Sequence, residues 1–470
     1  MDRLLNQKYI LSFYGDDFTG STDTMESLAL NGIRTALFLH PPSEKEADTF
    51  QLKKTWDEEG NRDLQAFGVA GISRSLRVEQ MKTELTPIFE ALQKIKTDFF
   101  HYKICSTFDS SPEIGSIGFA TDLAFRFFPS KYIPLIVGAP FLNRFTVFGN
   151  LFARIDGITY RLDRHPTMSK HPVTPMHESD LRLHLAKQTD REIRLIDLFA
   201  LEKEDFQGQQ ILEELDLQHG EIVLFDTLSM DHLINTGETI VKNATDGCQL
   251  IIGASSTEHA ICLYLQKIHK LIKPAHPESP GKSDQIIVMS GSCAPTTGRQ
   301  LRWVLDKGFE DIRIDTIALV NPEKNQTEQE RIIKKSLEAI NKGKSIAIYS
   351  AIGPDDPIIE DTKKELLSLG FESDSVSQQL GAAQGRILEH ILNKTGKIRT
   401  VVCGGDTSGH VSRALGIHAL ETLMPIAPGA PLCIAHSKNE AFDGLEISLK
   451  GGQNGTVTYI ESIARGYNID

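Results

Sequence analysis

The chain has 470 residues, 40% of them hydrophobic and 24% charged, and a net charge of −13. That length exceeds one ordinary hydrophobic core and predicts two domains. The acidic balance speaks against non-specific binding to nucleic acid or anionic membranes, which needs a basic face, but a few local Arg and Lys residues still suffice to hold a small anionic substrate.

The six cysteines, Cys105, Cys248, Cys262, Cys293, Cys403 and Cys433, are scattered and form no C-x-x-C pair. They read as reduced, packed thiols of a cytoplasmic protein. The start, Met1 to Lys8, is polar and lacks the apolar region of a signal peptide. No apolar run approaches the ~20 residues of a membrane span.

In chain order, Tyr9–Tyr14 reads as a strand. It leads into Gly15-Asp16-Asp17-Phe18-Thr19-Gly20-Ser21-Thr22-Asp23, after which a helix over Asp23–Asn31 is expected, ended by Gly32. Strands follow at Thr35–Leu39, Leu64–Ala70, Phe99–Ile104 and Tyr132–Val137. Val78–Lys94 carries Met81, Leu85, Ile88, Phe89 and Leu92 at helical spacing. This alternation predicts a mainly parallel sheet flanked by helices, with ligands beyond the C-terminal strand ends. A proline-rich stretch between Ile272 and Asp284 reads as a linker. The expected division is therefore residues 1–272, a linker over 273–284, and a second domain over 285–470. In that domain Gln285–Met289, Ser345–Tyr349 and Thr400–Cys403 are expected strands, and Thr297–Lys307, Thr327–Lys342 and Val376–Asn393 expected helices.

Asp16 and Asp17 stand where a strand becomes a loop. Paired carboxylates there can bind a divalent cation, accept hydroxyl hydrogen bonds or act as a general base. They can also serve only as turn and capping residues, with Thr19, Ser21 or Thr22 capping the helix. Arg74, between Ser73 and Ser75, suits carboxylate recognition. Lys103, with Ser106 and Thr107, combines a cation and hydroxyls as a polyhydroxylated acid would require, and Arg144 supplies a second cation. Cys105 has no nearby His to activate it and reads as a packed thiol. His165, His171 and His177 lack the spacing of a helical zinc pair, and Arg161–Pro175 reads as an ordered loop over the substrate, so no metal ligands are assigned. In the second half, Ser290-Gly291-Ser292, Ile352-Gly353-Pro354, Gly404-Gly405-Asp406-Thr407-Ser408-Gly409 and Lys450-Gly451-Gly452 are small-residue turns that let backbone amides approach phosphates. Neither a Walker loop nor a Rossmann fingerprint is present.

These stretches, taken in order over nearly the whole chain, resemble the four-carbon acid sugar kinase family. The resemblance rests on Asp16-Asp17-Phe18-Thr19-Gly20, Ser73-Arg74-Ser75, Lys103 with Ser106-Thr107, Ala139-Pro140 with Arg144, Ser290-Gly291-Ser292, Gly404 to Gly409, and Leu449-Lys450-Gly451-Gly452. It implies two α/β domains, each a mainly parallel sheet flanked by helices, with a ligand cleft between them. The first would bind a sugar acid through Arg74, Lys103, Ser106, Thr107 and Arg144. Asp16 or Asp17 would orient the accepting hydroxyl and take its proton. The second would bind ATP with Mg²⁺ through Ser290, Ser292, Gly353, Gly404, Gly405, Asp406, Thr407 and Gly451. Such a protein would be a cytoplasmic kinase acting on a small-molecule sugar acid and ATP, compatible with a homodimer, with no nucleic-acid or membrane partner. The alternative is a non-catalytic protein sensing a sugar acid or nucleotide. The family pattern after the lysine is commonly Asp-Ser-Thr-Leu-Arg-Gly, whereas this chain has Cys105 and Asp109 at the Asp and Arg positions. That exchange predicts a changed acceptor, such as the branched acid 3-oxo-isoapionate in place of a four-carbon acid.

Overall fold

A computed structural model describes residues 7–56, 59–203, 206–217, 219–275, 277–370 and 375–469. Most of the polar start and His276 of the expected linker lie outside them. The chain packs as two compact units, residues 1–275 and 276–470.

The first unit is built on β1 (Tyr9–Gly15), β2 (Thr35–Phe38), β3 (Ala66–Ala70), β4 (Thr97–Lys103) and β5 (Tyr132–Ile136). A hairpin pair, β6 (Arg144–Val147), β7 (Asn150–Ile155) and β8 (Ile158–Arg161), interrupts the series before β9 (Ile193–Ile196), β10 (Glu221–Phe225) and β11 (Gln249–Gly253). The main strands run parallel in the order β2-β3-β1-β4-β11-β5-β10-β9. Every residue of β1 is buried, as expected for a central strand covered by helices on both faces. Phe89 from the helix Val78–Leu92 meets Tyr14, Phe100 and Tyr102 edge-on, at centroid distances of 6.1, 5.3 and 6.2 Å. That aromatic contact seats the helix on the strands that carry the site. The register Ala70–Gly15–Lys103 ends three neighbouring strands on one level, so the segments after them emerge side by side.

β6, β7 and β8 form a separate antiparallel sheet. Its turns, Phe148-Gly149 and Asp156-Gly157, have positive φ at both residues, the backbone of a type I′ hairpin. Asp226, just past β10, accepts from the amides of Phe148 (2.5 Å) and Gly149 (2.9 Å) and pins the first hairpin to the main sheet.

The second unit contains β12 (Ile286–Ser290), β13 (Glu310–Arg313), β14 (Ile346–Tyr349), β15 (Arg399–Cys403), β16 (Ile417–Ala427), β17 (Ala430–Ser437) and β18 (Glu446–Lys450), in the order β13-β14-β12-β15-β18-β17-β16. β13, β14, β12, β15 and β18 are parallel, while β17 and β16 are antiparallel. Its core joins Val288, Val401 and Ala347 of the sheet to Leu301 and Val304 of the helix Pro295–Asp306 and to Ile460 and Ile463 of the helix Tyr459–Arg465. Tyr349, Ser290, Cys403 and Lys450 share one register level. Part of the expected linker is tied into this unit, through Ser279 Oγ to the Gly466 carbonyl (2.9 Å) and Ser283 N to the Ala464 carbonyl (2.9 Å). Among the described residues no helix is long and apolar enough to cross a membrane.

Candidate active site

In the first unit the site gathers beyond the C-terminal ends of β1, β3 and β4. The turn Ser73–Ser75 rests on two tyrosines: Tyr14 Oη accepts from Ile72 N (3.2 Å), and Ser73 Oγ meets Tyr102 Oη at 2.9 Å. A Cβ on Gly71 would stand 2.1 Å from the Tyr14 ring, so glycine is required where the chain crosses it. This seating aims Arg74 back at β1. Its guanidinium donates to Asp16 from Nη2 (2.6 Å) and Nε (3.1 Å), and to Asp17 from Nη1 (2.6 Å) and Nη2 (2.9 Å). These four hydrogen bonds use four of the five N–H groups an arginine owns. Burial pushes the Asp16 carboxyl up, and Arg74 opposes that rise.

Asp17 has a second task. Its Oδ1 accepts from Gly20 N (2.7 Å) and caps the helix Phe18–Leu30. The helix thus begins five residues before the expected Asp23, and Asp17 is its cap rather than Thr19, Ser21 or Thr22. Asp16 is buried, whereas the Asp17 side chain keeps 30% of its surface open. A Cβ on Gly20 would lie 2.6 Å from Asp17 Oδ1 and 3.1 Å from Lys103 Nζ, so this glycine forms the floor of the cluster. Lys103 is buried, donates to the Ile104 carbonyl (3.0 Å) and faces Asp23 at 3.7 Å.

Past β4, Cys105 Sγ meets Thr107 Oγ1 at 2.9 Å, and Thr107 donates to Asp109 Oδ1 at 2.8 Å. Burial, with Asp109 beside it, pushes the Cys105 thiol up to about 11, which keeps it protonated and unreactive. Ser106 is half-buried next to it. Arg144, first residue of β6, lies in the electrostatic reach of Cys105 and Asp109. Its Nη1 donates to the Leu142 and Asn143 carbonyls (3.0 and 3.2 Å), while its buried Nε has no partner. His165 is buried, and its Nδ1 accepts from the amides of Thr167 and Met168, both at 3.2 Å.

Sequence reasoning singled out Arg74, Lys103 and Arg144 alike as carboxylate binders. The geometry separates them: Arg74 is engaged by the protein's own carboxylates, and Arg144 has an unused donor. Asp23 and His259 were missed. His259 contacts Ser27 Oγ (2.9 Å) and the Ser255 carbonyl (3.0 Å) and stacks under Phe141 at 4.0 Å. With the helix beginning at Phe18, Gly20 and Asp23 fall three residues apart on one face, the signal that finds Asp23.

In the second unit a cavity of about 620 Å³ opens beside β12 and β15. Ser292, Gly404, Gly405, Asp406 and Thr407 line it, together with the unanticipated Ser350, Lys363 and Gln384. Gly404 has φ +117°, a conformation other residues rarely adopt, and it opens the helix Gly405–Ala414. Ile358, Ile359 and Leu380 supply an apolar wall. Ser290 is fully buried, its Oγ without a partner and its carbonyl taking Ser350 N (3.0 Å) and Gln384 Nε2 (3.1 Å). Ser290 and Gly451 stand behind the lining, and Gly353 lines a neighbouring groove with Arg299 and Arg302. Glycine richness marked Gly353 without revealing that it lines a different groove.

Residues 11–261 match the family of sugar-binding N-terminal domains, and residues 287–460 that of nucleotide-binding C-terminal domains. The chain belongs to the four-carbon acid sugar kinase family. Within it, the chain is 38% identical to 3-oxo-isoapionate kinase of Paraburkholderia graminis over 97% of its own length and 94% of the relative's. It is 28% identical to 3-oxo-tetronate kinase of Pectobacterium atrosepticum, over 90% of this chain and 92% of that one. Haemophilus influenzae protein HI1011 has a similar fold, with TM-score 0.71, 22% identity and coverage of 97% and 99% of the two chains.

Proposed function

We propose that this chain is an ATP-dependent kinase that phosphorylates a hydroxyl of a small sugar acid, with a branched 3-oxo acid of the isoapionate kind as its acceptor. Family membership and the 38% identical relative support the reaction class. The alternative of a non-catalytic sensor is not favoured by relatives that match over 97% and 90% of the chain and bear kinase names.

The observation that carries the assignment of roles is the double grip of Arg74 on Asp16 and Asp17. It fixes a carboxylate pair at the end of β1 and leaves Asp17 as the accessible member. In this reading Asp17 orients the acceptor hydroxyl and takes its proton, and Asp16 is the buried brace that holds Arg74. Arg144, whose Nη1 is held by the Leu142 and Asn143 carbonyls, binds the substrate carboxylate, and Lys103, Ser106 and Thr107 meet the remaining oxygens. Phosphoryl transfer demands mainly positioning and charge neutralisation, which such a rigid set provides.

The second unit's cavity suits a nucleotide. Bare backbone at Gly291, Gly404 and Gly405 admits phosphates, and Ile358, Ile359 and Leu380 suit a base. Among the described residues no group of three or more His, Cys, Asp or Glu could hold a metal ion by itself. Mg²⁺ therefore fits as a companion of the nucleotide phosphates, with Asp406 the carboxylate in the cavity wall. When bound it neutralises charge on the phosphate oxygens. A cytoplasmic location and a homodimer complete the proposal, the latter checked by sedimentation.

The decisive assay measures ADP release over four- and five-carbon aldonic and 3-oxo acids. Expected is Mg·ATP-dependent ADP formation, fastest with the branched 3-oxo acid. ADP formation with none of these acids overturns the kinase reading, and a preference for an unbranched acid overturns the choice of acceptor.

A further inference from the structure

Lys450 ends β18 with 1% of its surface exposed. Its ammonium donates to Thr297 Oγ1 (3.1 Å) and to the Gly451 carbonyl (2.9 Å), and lies 5.8 Å from the Tyr459 ring centroid. All three partners are neutral. Among the described residues it has no carboxylate within ion-pair distance. The Cys403 thiol beside it in register is pushed up by burial and so contributes no negative charge. An ammonium has three N–H groups, and only two are used here. A buried cation without a counter-ion is among the costliest features a fold can hold, and burial correspondingly draws the Lys450 pKa down. Position adds to the anomaly. Thr297 lies in the first turn of the helix Pro295–Asp306, an end that repels cations.

The ammonium stands close behind the nucleotide cavity. Ser292 lines that cavity, and a Cβ on Gly452 would lie 2.6 Å from Ser292 Oγ. Thr297 Oγ1 donates to the Gly452 carbonyl (2.7 Å), and the Lys450 carbonyl accepts from Gly404 N (2.9 Å) at the cavity's phosphate-suited turn. We propose that Lys450 is a phosphate-neutralising residue, a cation buried without a counter-ion until the phosphate chain of a nucleotide supplies one. The inference rests on the nucleotide site proposed above. It requires no direct contact, because through protein a unit charge acts strongly over several ångströms.

The test compares wild type, Lys450→Met, Lys450→Gln and Lys450→Arg by titration calorimetry with ATP and with adenosine, alongside the unfolding temperature of the unliganded proteins. In Lys450→Met, ATP affinity is expected to fall about tenfold or more, adenosine affinity to stay unchanged, and the unliganded protein to unfold at the same or a higher temperature. Lys450→Arg restores most of the ATP affinity. Lys450→Gln gives the same selective loss and serves if the methionine variant does not fold. Equal effects on ATP and adenosine, or no effect on either, overturn the inference while leaving the nucleotide site standing. A wild-type protein that binds neither ligand overturns the nucleotide site itself.

Discussion

Arg74 and Asp16 meet in a two-point fork, Nη2 to Oδ1 at 2.6 Å and Nε to Oδ2 at 3.1 Å, across a sequence separation of 58 residues. The fork locks the end of β1 to the turn after β3. Its planar geometry is one that a lysine cannot reproduce. Arg74→Lys is therefore expected to cost ~10²-fold in turnover by letting Asp17 drift. Arg74→Ala leaves Asp16 buried and unpaired and is expected to lose ~3–5 kcal/mol of stability. Steady-state kinetics and urea unfolding check the two.

Asp17→Asn keeps an oxygen to cap the helix but lacks the charge that takes up a proton. Turnover is expected to fall ~10²–10⁴-fold, with nucleotide affinity unchanged by calorimetry. Full activity in this variant would remove Asp17 from the role assigned to it.

Gly20→Ala separates folding from function. Alanine favours a helix over glycine by ~1 kcal/mol, which offsets part of the crowding, so the unfolding midpoint is expected to move little. The new methyl would press on Asp17 Oδ1, at 2.6 Å, and on Lys103 Nζ, at 3.1 Å. An activity loss of about tenfold or more, measured by ADP release, is the expected result of such a misplacement.

His184 governs an acid limit. Its Nε2 meets Ser110 Oγ at 3.1 Å and its ring packs on Phe108, directly under the Cys105–Asp109 segment. Burial pulls its pKa down to about 4. The unfolded chain takes up a proton near pH 6.5 that the folded chain refuses until about 4, so this contribution is complete above pH 6.5 and fades as pH falls toward 4. The loss amounts to ~3 kcal/mol. Unfolding free energy measured across that window should fall less steeply in His184→Leu than in wild type.

Much of the fold was readable because its strands are apolar runs bounded by polar residues. The runs at Tyr9 and Tyr132 begin β1 and β5 where expected. Helix starts were less readable. Phe18-Thr19-Gly20-Ser21-Thr22 has turn chemistry and poor helix propensity, yet it is helical because Asp17 caps it and the Ser21 hydroxyl bonds back to the Asp17 carbonyl at 2.6 Å. Gly405 to Gly409, glycine-rich and polar, opens a helix after a strand as its position predicts, and its residues already form the first turns. Asp156-Gly157 announces a hairpin by its turn residues, but Phe148-Gly149 does not, since a phenylalanine at positive φ carries no local signal. The candidate site was legible as a set of residues and not as a set of pairings. Which cation faces which carboxylate depends on strand order, and no local pattern encodes that order.

The hairpin that carries Arg144 stands apart from the sheet that carries Asp16, Asp17 and Arg74, and Asp226 fastens its turn. Under the proposed roles, the cation that binds the acceptor's carboxylate sits on a module distinct from the part that handles its proton. Lengthening or reshaping that hairpin would retune acceptor choice without disturbing the proton-handling residues, giving evolution, or an engineer, an independent dial for substrate range.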